Sequence, residues 1–328
     1  MVVAVEKRGV ERITRVSLQG KAAAAGIPVV DLRRGDVGGA IVRACEEVGF
    51  FKVVNHGVPV ELMEWLEAEA VGFFARPEEE KERAAGAAAP YGYGSRRIGC
   101  SGDVGWVEYL LMQLRGGDAD GPVTALLHQH GAARLCAAMA EYTAAMRRLA
   151  VALLEEMGKA LGLAAGDALS RMVADEESDS LFRLNHYPPC PAAGEVVTGF
   201  GEHTDPQIVS ILRSNETCGL QIALRDGSWV SVPPDHSSLF VNVGDSLQVL
   251  TNGRFRSVRH RVVLGEETRS RVSMIFFGGP PPGGRLAPLP LMVAGAQESL
   301  YREITWSEYK SSSFRTRLAD DRLLLFHR

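Results

Sequence analysis

With 328 residues, 46% of them hydrophobic and a formal net charge of -4, the chain has the composition of a globular protein with a sizeable core, in one large domain or two small ones. That charge balance, with no long basic run, excludes a surface built for nucleic acid or for an anionic membrane, and no apolar run reaches the length of a membrane span. The first residues, MVVAVEKRGVER, carry charges where a signal peptide needs an unbroken apolar region, and five cysteines (Cys45, Cys100, Cys136, Cys190, Cys218) at irregular spacing fit neither a disulfide framework nor a zinc ribbon; both point to the cytosol.

In chain order, Ile27 to Leu32 reads as a short buried strand, and Asp36 caps a helix whose apolar face is Ile41, Ala44, Cys45 and Val48. Phe50 to Val54 is a second strand, broken by the Asn55-His56-Gly57 turn, where His56 reads as a turn residue because no carboxylate stands at metal spacing. Val60 to Ala75 is helical and stops at Pro77. Gly86 to Gly105, rich in small residues and carrying Arg96 and Arg97, reads as a long irregular segment of the kind that carries binding function. Val123 to Leu163 is helical throughout, as one long helix or two; His128 and His130 fall on different faces of it and make poor joint ligands.

Beyond Ser180 the period switches to two, and strands are expected at 181–187, 208–213, 220–224, 229–232, 238–243, 256–264 and 270–277. Pro280-Pro281-Pro282 closes this region. Thr305 and Glu308 form a capping box before a final helix, and the tail through Phe326 is placed to cover the mouth of the barrel. The fold class expected is mainly β with flanking helices around a double-stranded β-helix (jelly-roll, cupin-like) core. The expected organisation is 1–122 as an amino-terminal region with a substrate loop, 123–170 as bracing helices, 171–285 as the catalytic core, and 286–328 as a covering segment.

One constellation stands out in the core. His203-x-Asp205 and the distant His260 offer two imidazoles and one carboxylate, which on one face of an octahedron leave the opposite face open, as a non-haem ferrous oxygenase requires; a structural zinc site is more often closed by four ligands, usually with cysteine. Arg271 and Ser273 point to one face of a strand whose other residues are apolar, and a buried arginine there needs an anion. Zinc-assisted hydrolysis by the same ligands lacks a placed general base and a use for Arg271. A binding protein that captures a small molecule without turning it over has no need of an open metal face and a clamp together.

NHYPPCP (185–191), GEHTDP (201–206), RHRVV (259–263) and RVSMIFF (271–277), with IPVVDL and GFFKVVNHGV nearer the amino terminus, resemble the plant 2-oxoglutarate and ferrous iron dependent dioxygenases nearly end to end. Within them, GDVGWVEYLLMQ (102–113), GEHTDPQIVSILRSN (201–215) and TWSEYK (305–310) are similar to the gibberellin 2-oxidases acting on nineteen-carbon gibberellins; gibberellin synthesis and flavonoid oxidation are the alternatives within the family. The resemblance implies His203, Asp205 and His260 as catalytic Fe(II) ligands. It implies Tyr187, Arg271 and Ser273 as binders of the 2-oxoglutarate co-substrate, with ascorbate in support, and a small-molecule gibberellin as substrate. For the substrate carboxylate the reading points to Arg97, with Arg96 as the alternative, beside Tyr91, Tyr93, Trp106 and Tyr109, because charge and aromatic surface occur together there.

Overall fold

The computed structural model describes residues 26–86, 90–98, 101–114, 121–189, 196–265, 269–295 and 298–328. The amino-terminal half runs β1 (Val29–Asp31), α1 (Val37–Glu47), β2 (Phe50–Val54), α2 (Val60–Phe74), α3 (Glu78–Ala85), β3 (Gly92–Ile98), β4 (Asp103–Leu114), α4 (Pro122–Gln129), α5 (Ala133–Ala160) and α6 (Ser170–Ala174). The second half runs β5 (Ser180–Tyr187), β6 (Val197–His203), β7 (Val209–Ser214), β8 (Leu220–Ala223), β9 (Trp229–Ser231), β10 (Leu239–Val243), α7 (Asp245–Leu250), β11 (His260–Leu264), β12 (Arg271–Gly278), β13 (Arg285–Leu286), β14 (Ile304–Thr305) and α8 (Trp306–Arg315).

Two sheets form the core. The larger has the order β1-β2-β10-β7-β12-β5-β4-β3, and the smaller β6-β11-β8-β9. This is the mainly-β, helix-flanked jelly-roll expected from the strand pattern. Both edges of the large sheet come from the amino-terminal half: β2 pairs with β10 at one edge, and β4 pairs with β5 at the other. The helices cover its outer face. In α5, Leu135, Met139, Tyr142, Met146, Leu149 and Leu153 recur at helical spacing and are all buried. Among the described residues no helix is long and apolar enough to cross a membrane.

Local chemistry explains the element ends. The Asp36 side chain accepts from Gly39 N at 3.1 Å and starts α1, while Thr305 and Glu308 close a reciprocal capping box at α8. The helical stretch from Val123 splits at Gly131, whose φ of +74° no continuing helix accommodates. His56 is a turn residue, its ring accepting from Val58 N and meeting Ser237 O. Cys45 and Cys136 are buried free thiols and Cys218 is exposed, whereas Cys100 and Cys190 lie outside the described residues.

Three expectations need correction. The segment 86–105 is not irregular in its described part, since β3 and the start of β4 form an antiparallel pair there. Its glycines hid the strand. Gly94 sits directly opposite Tyr109, and a Cβ on it would lie 2.4 Å from the Tyr109 ring, so only glycine lets the two strands pair around that ring. Arg96, at φ +61°, stands at a register shift between Ser95 and Arg97. Second, β6 was not anticipated, because Gly199 and Gly201 dilute its pattern and its pairing with β11 is bulged. Third, the strand expected from Arg256 begins only at His260.

The carboxy-terminal helix is clasped to the barrel by one buried carboxylate. Asp179, 4% exposed, accepts from Trp306 Nε1 at 2.7 Å, Lys310 Nζ at 2.6 Å and Gln113 Nε2 at 2.9 Å. Asp179→Ala leaves the Trp306 indole N–H facing the interior without an acceptor and the Lys310 ammonium without its anion. It should lower unfolding free energy by about 2–3 kcal/mol in urea melts and expose the 306–328 segment to limited proteolysis. Unchanged melting and protease patterns would show that the clasp carries no stability.

Candidate active site

Between the two sheets lies a cavity that is partly open to solvent. The large sheet contributes Arg183, Asn185, Tyr187, Ser210, Asn242, Arg271 and Ser273 to its wall, and the small sheet Phe200, His203, Leu220, His260 and Val262.

His203 ends β6 and His260 begins β11, and the two are direct cross-strand partners, which brings their ring centroids to 4.2 Å. Asp205 follows His203 by two residues, its Oδ1 lying 3.7 Å from Nε2 of each histidine. One ligand atom from each of the three lies within 4.8 Å of the others, and this is the metal-competent cluster among the described residues. The atoms are also oriented for a metal. His203 Nδ1 is 2.8 Å from the Gly201 carbonyl and His260 Nδ1 3.2 Å from that of Val258. A carbonyl can only accept, so Nδ1 carries the proton in each ring and Nε2 turns a lone pair to the site.

Asp205 is fixed in the same way. Its Oδ2 accepts from Ser210 Oγ at 2.6 Å and Asn242 Nδ2 at 2.8 Å, leaving Oδ1 for the metal. Ser210 and Asn242 are themselves register partners on β7 and β10. Burial alone would raise the Asp205 pKa, but the two imidazoles and these two donors bring it below the usual carboxylate value. Burial, and then His260, hold the His203 pKa well below that of a free imidazole, so the ring is in the neutral form a metal needs. Two imidazoles and one carboxylate suit ferrous iron with open positions.

On the facing strand, Arg271 is 2% exposed, and its Nε and Nη1 have no hydrogen-bond partner. It pairs in register with Tyr187, lies over that ring at 5.3 Å, and shares a strand face with Ser273. A buried guanidinium with unspent donors beside a phenol and a hydroxyl is a receptor for a carboxylate, and this supports the fit of 2-oxoglutarate.

The substrate residues read from the sequence are not brought together. Arg96 and Arg97 are exposed, and neither lines the cavity. Trp106 and Tyr109 are three apart on one strand and so face opposite ways: Trp106 donates to Pro188 O and lies under Arg96, whereas Tyr109 packs against Arg183. Tyr91 reaches Lys310 Nζ at 3.5 Å, and Tyr93 donates to Glu108. Reading β3 and β4 as a loop put these side chains on one surface, while strand alternation separates them. The sequence reading also missed Ser210, Asn242, Arg183, Arg322 and Lys310, all of which line the cavity. Arg183 alone had a signal, since it alternates with Asn185 and Tyr187 on an expected strand.

The comparisons agree with this geometry. The family model of the 2OG-Fe(II) oxygenase superfamily matches residues 178–280, and that of the non-haem dioxygenase in morphine synthesis N-terminal region matches 27–121. The chain is 54% identical to a gibberellin 2-beta-dioxygenase of Phaseolus coccineus, covering 92% of this chain and 91% of that one. It is 53% identical to gibberellin 2-beta-dioxygenase 1 of Arabidopsis thaliana, covering 92% of each. Among solved structures, JOX2 in complex with 2OG, Fe and JA superposes with a TM-score of 0.78 at 28% identity over 92% of this chain and 89% of that one. The chain thus belongs to the 2-oxoglutarate and Fe(II) dependent oxygenases and, within them, to the gibberellin 2-beta-dioxygenase family.

Proposed function

We propose that this chain hydroxylates nineteen-carbon gibberellins at the 2β position, inactivating the hormone, with Fe(II), 2-oxoglutarate and dioxygen, and that it works in the cytosol. The observation that carries the reading is a complete His203, Asp205 and His260 set facing an unpartnered buried Arg271 across one cavity, in a chain 54% identical to a gibberellin 2-beta-dioxygenase. The test is mass spectrometry of products from a panel of gibberellins and flavonoids, with and without 2-oxoglutarate. Products from flavonoids alone, or turnover independent of 2-oxoglutarate, would overturn it.

His203 and His260 would present Nε2, and Asp205 Oδ1, to the metal. Bound iron supplies dioxygen activation coupled to oxidative decarboxylation of 2-oxoglutarate. Arg271 takes the far carboxylate of the co-substrate, with Ser273 and Tyr187 as additional donors. Phe50, Leu212, Leu220 and Val262 give the wall an apolar lining that excludes water and suits a rigid hydrocarbon ring system. The protein's part is to hold an unactivated ring carbon toward the metal in a fixed pose.

Three outcomes follow. Asp205→Ala should abolish succinate formation and hydroxylation while circular dichroism and melting stay native-like, because one anionic ligand is lost from a three-ligand site. Asn242→Ala should weaken Fe(II) binding by about 10–100-fold, read by metal titration, because Asp205 loses one of the donors that aim it; unaltered affinity would show that Ser210 alone suffices. Arg271→Lys should raise KM for 2-oxoglutarate far more than KM for gibberellin, since a point charge cannot replace a two-pronged fork. Equal KM values for 2-oxoglutarate would place its clamp elsewhere.

A further inference from the structure

The cavity is lined by four cationic side chains: Arg183, Arg271, Lys310 and Arg322. Two have an answering anion: Arg271 meets the co-substrate in the reading above, and Lys310 is paired with Asp179 at 2.6 Å. Arg322 donates to Thr204 O at 3.2 Å and is drawn to the buried Asp245 carboxylate without an ion pair among the described residues, and its Nε is unpartnered there; it stands beside Asp245 rather than between aromatic rings.

Arg183 has none. No ion pair joins it to a carboxylate among the described residues; its Nε is used on Asn185 Oδ1 at 2.7 Å, and its buried Nη2 has no partner at all. Asp205 attracts it electrostatically, but that carboxylate is aimed at the metal by Ser210 and Asn242. The guanidinium lies over the Tyr109 ring at 4.0 Å and the Phe200 ring at 5.0 Å. Two aromatic faces hold a cation in place without neutralising it, so its hydrogen-bonding capacity stays open.

Its level in the cavity is also distinct. On β5, Arg183, Asn185 and Tyr187 all line the wall; Tyr187 pairs with Arg271, and Arg183 pairs with Ile275. Four steps along the strand, about 13 Å at the usual rise, separate the backbone positions of the two arginines, so they enter the wall at different levels.

We propose that Arg183 is the residue that pairs with the carboxylate of the organic substrate, and that Tyr109, given room by Gly94, positions it. This rests on the reading of the substrate as a ring acid such as a gibberellin. It also accounts for Gly94, where a Cβ would lie 2.4 Å from the Tyr109 ring that packs against Arg183.

Arg183→Met keeps an unbranched apolar stem between the two rings and removes only the charged fork. With gibberellin as free acid, kcat/KM should fall about 10–100-fold, mainly through KM, as expected for one charge-assisted hydrogen bond. With the methyl ester, wild type and variant should match, and KM for 2-oxoglutarate should be unchanged. Arg183→Lys should recover part of the loss. As a readout independent of turnover, wild type loaded with Mn(II) and 2-oxoglutarate should show a larger thermal shift with the acid than with the ester, and Arg183→Met should not. Equal losses for acid and ester, no loss for either, or a raised KM for 2-oxoglutarate would overturn the assignment. If wild type converts no gibberellin yet prefers ring acids to their esters through Arg183, the substrate reading fails and this one stands.

Discussion

The site depends on strand register. His203 and His260 meet only because β6 and β11 pair so that these two residues are opposite each other, and Ser210 and Asn242 reach Asp205 only because β7 and β10 place them opposite each other. In a sheet a slip of one residue turns every side chain to the other face. Such a slip would send an imidazole, or a donor to Asp205, out of the cavity while leaving the backbone hydrogen bonds intact. The apolar alternation that fixes the core therefore also fixes the metal geometry. Gly244 tightens this further: a Cβ there would lie 1.9 Å from Gln207 O, so the turn after β10 and the segment after Asp205 are in backbone contact.

Against that rigid frame, the cavity holds charge the fold does not neutralise. Arg271 is fully enclosed with two unpartnered nitrogens, and Arg183 has a third. Leaving a buried cation without an anion costs several kcal/mol, and no packing requirement of the sheets asks for arginine at either position. Glu108 shows the contrast. It is equally buried but takes hydrogen bonds from Lys81 at 2.5 Å and Tyr93 at 2.6 Å and meets His186 at 2.7 Å, which completes a structural network on the helix side of the sheet. Glu108 is thus satisfied within the fold, whereas Arg271 and Arg183 keep donors open toward the cavity.

How much of this was legible in the sequence follows from how far apart the informative residues stand. His203-x-Asp205 is local, and Arg271-x-Ser273 is a period-two pair on a strand with unmistakable β-branched and aromatic neighbours, so both could be read directly. The other strands of the core were readable for the same reason, β6 with its glycines excepted. Asn242 could not be found, because its role exists only through the pairing of β10 with β7, which no local pattern encodes. The substrate side failed for a different reason. Gly92 and Gly94 have a turn-like composition, yet here glycine answers a steric demand of the paired strand, and the bulge at Arg96 breaks the alternation that would have revealed β3.

The proposed ligand positions also differ in how the fold holds them. His260 and the proposed 2-oxoglutarate clamp lie on strands paired on both sides, whereas His203 ends the edge strand β6 of the small sheet and Asp205 follows it, aimed by Ser210 and Asn242 on central strands. Arg183 is on a central strand too; Asn185 on the same strand and Phe200 on β6 hold it, together with Tyr109 on β4 with Gly94 on β3 behind it. Phe314 on α8 and Leu318 beyond it close the opposite side, tied down through Asp179. The β3–β4 margin and the clasped terminal helix lie outside the β6–β11 and β7–β10 pairings, so they can change sequence without disturbing the register that sets the iron site.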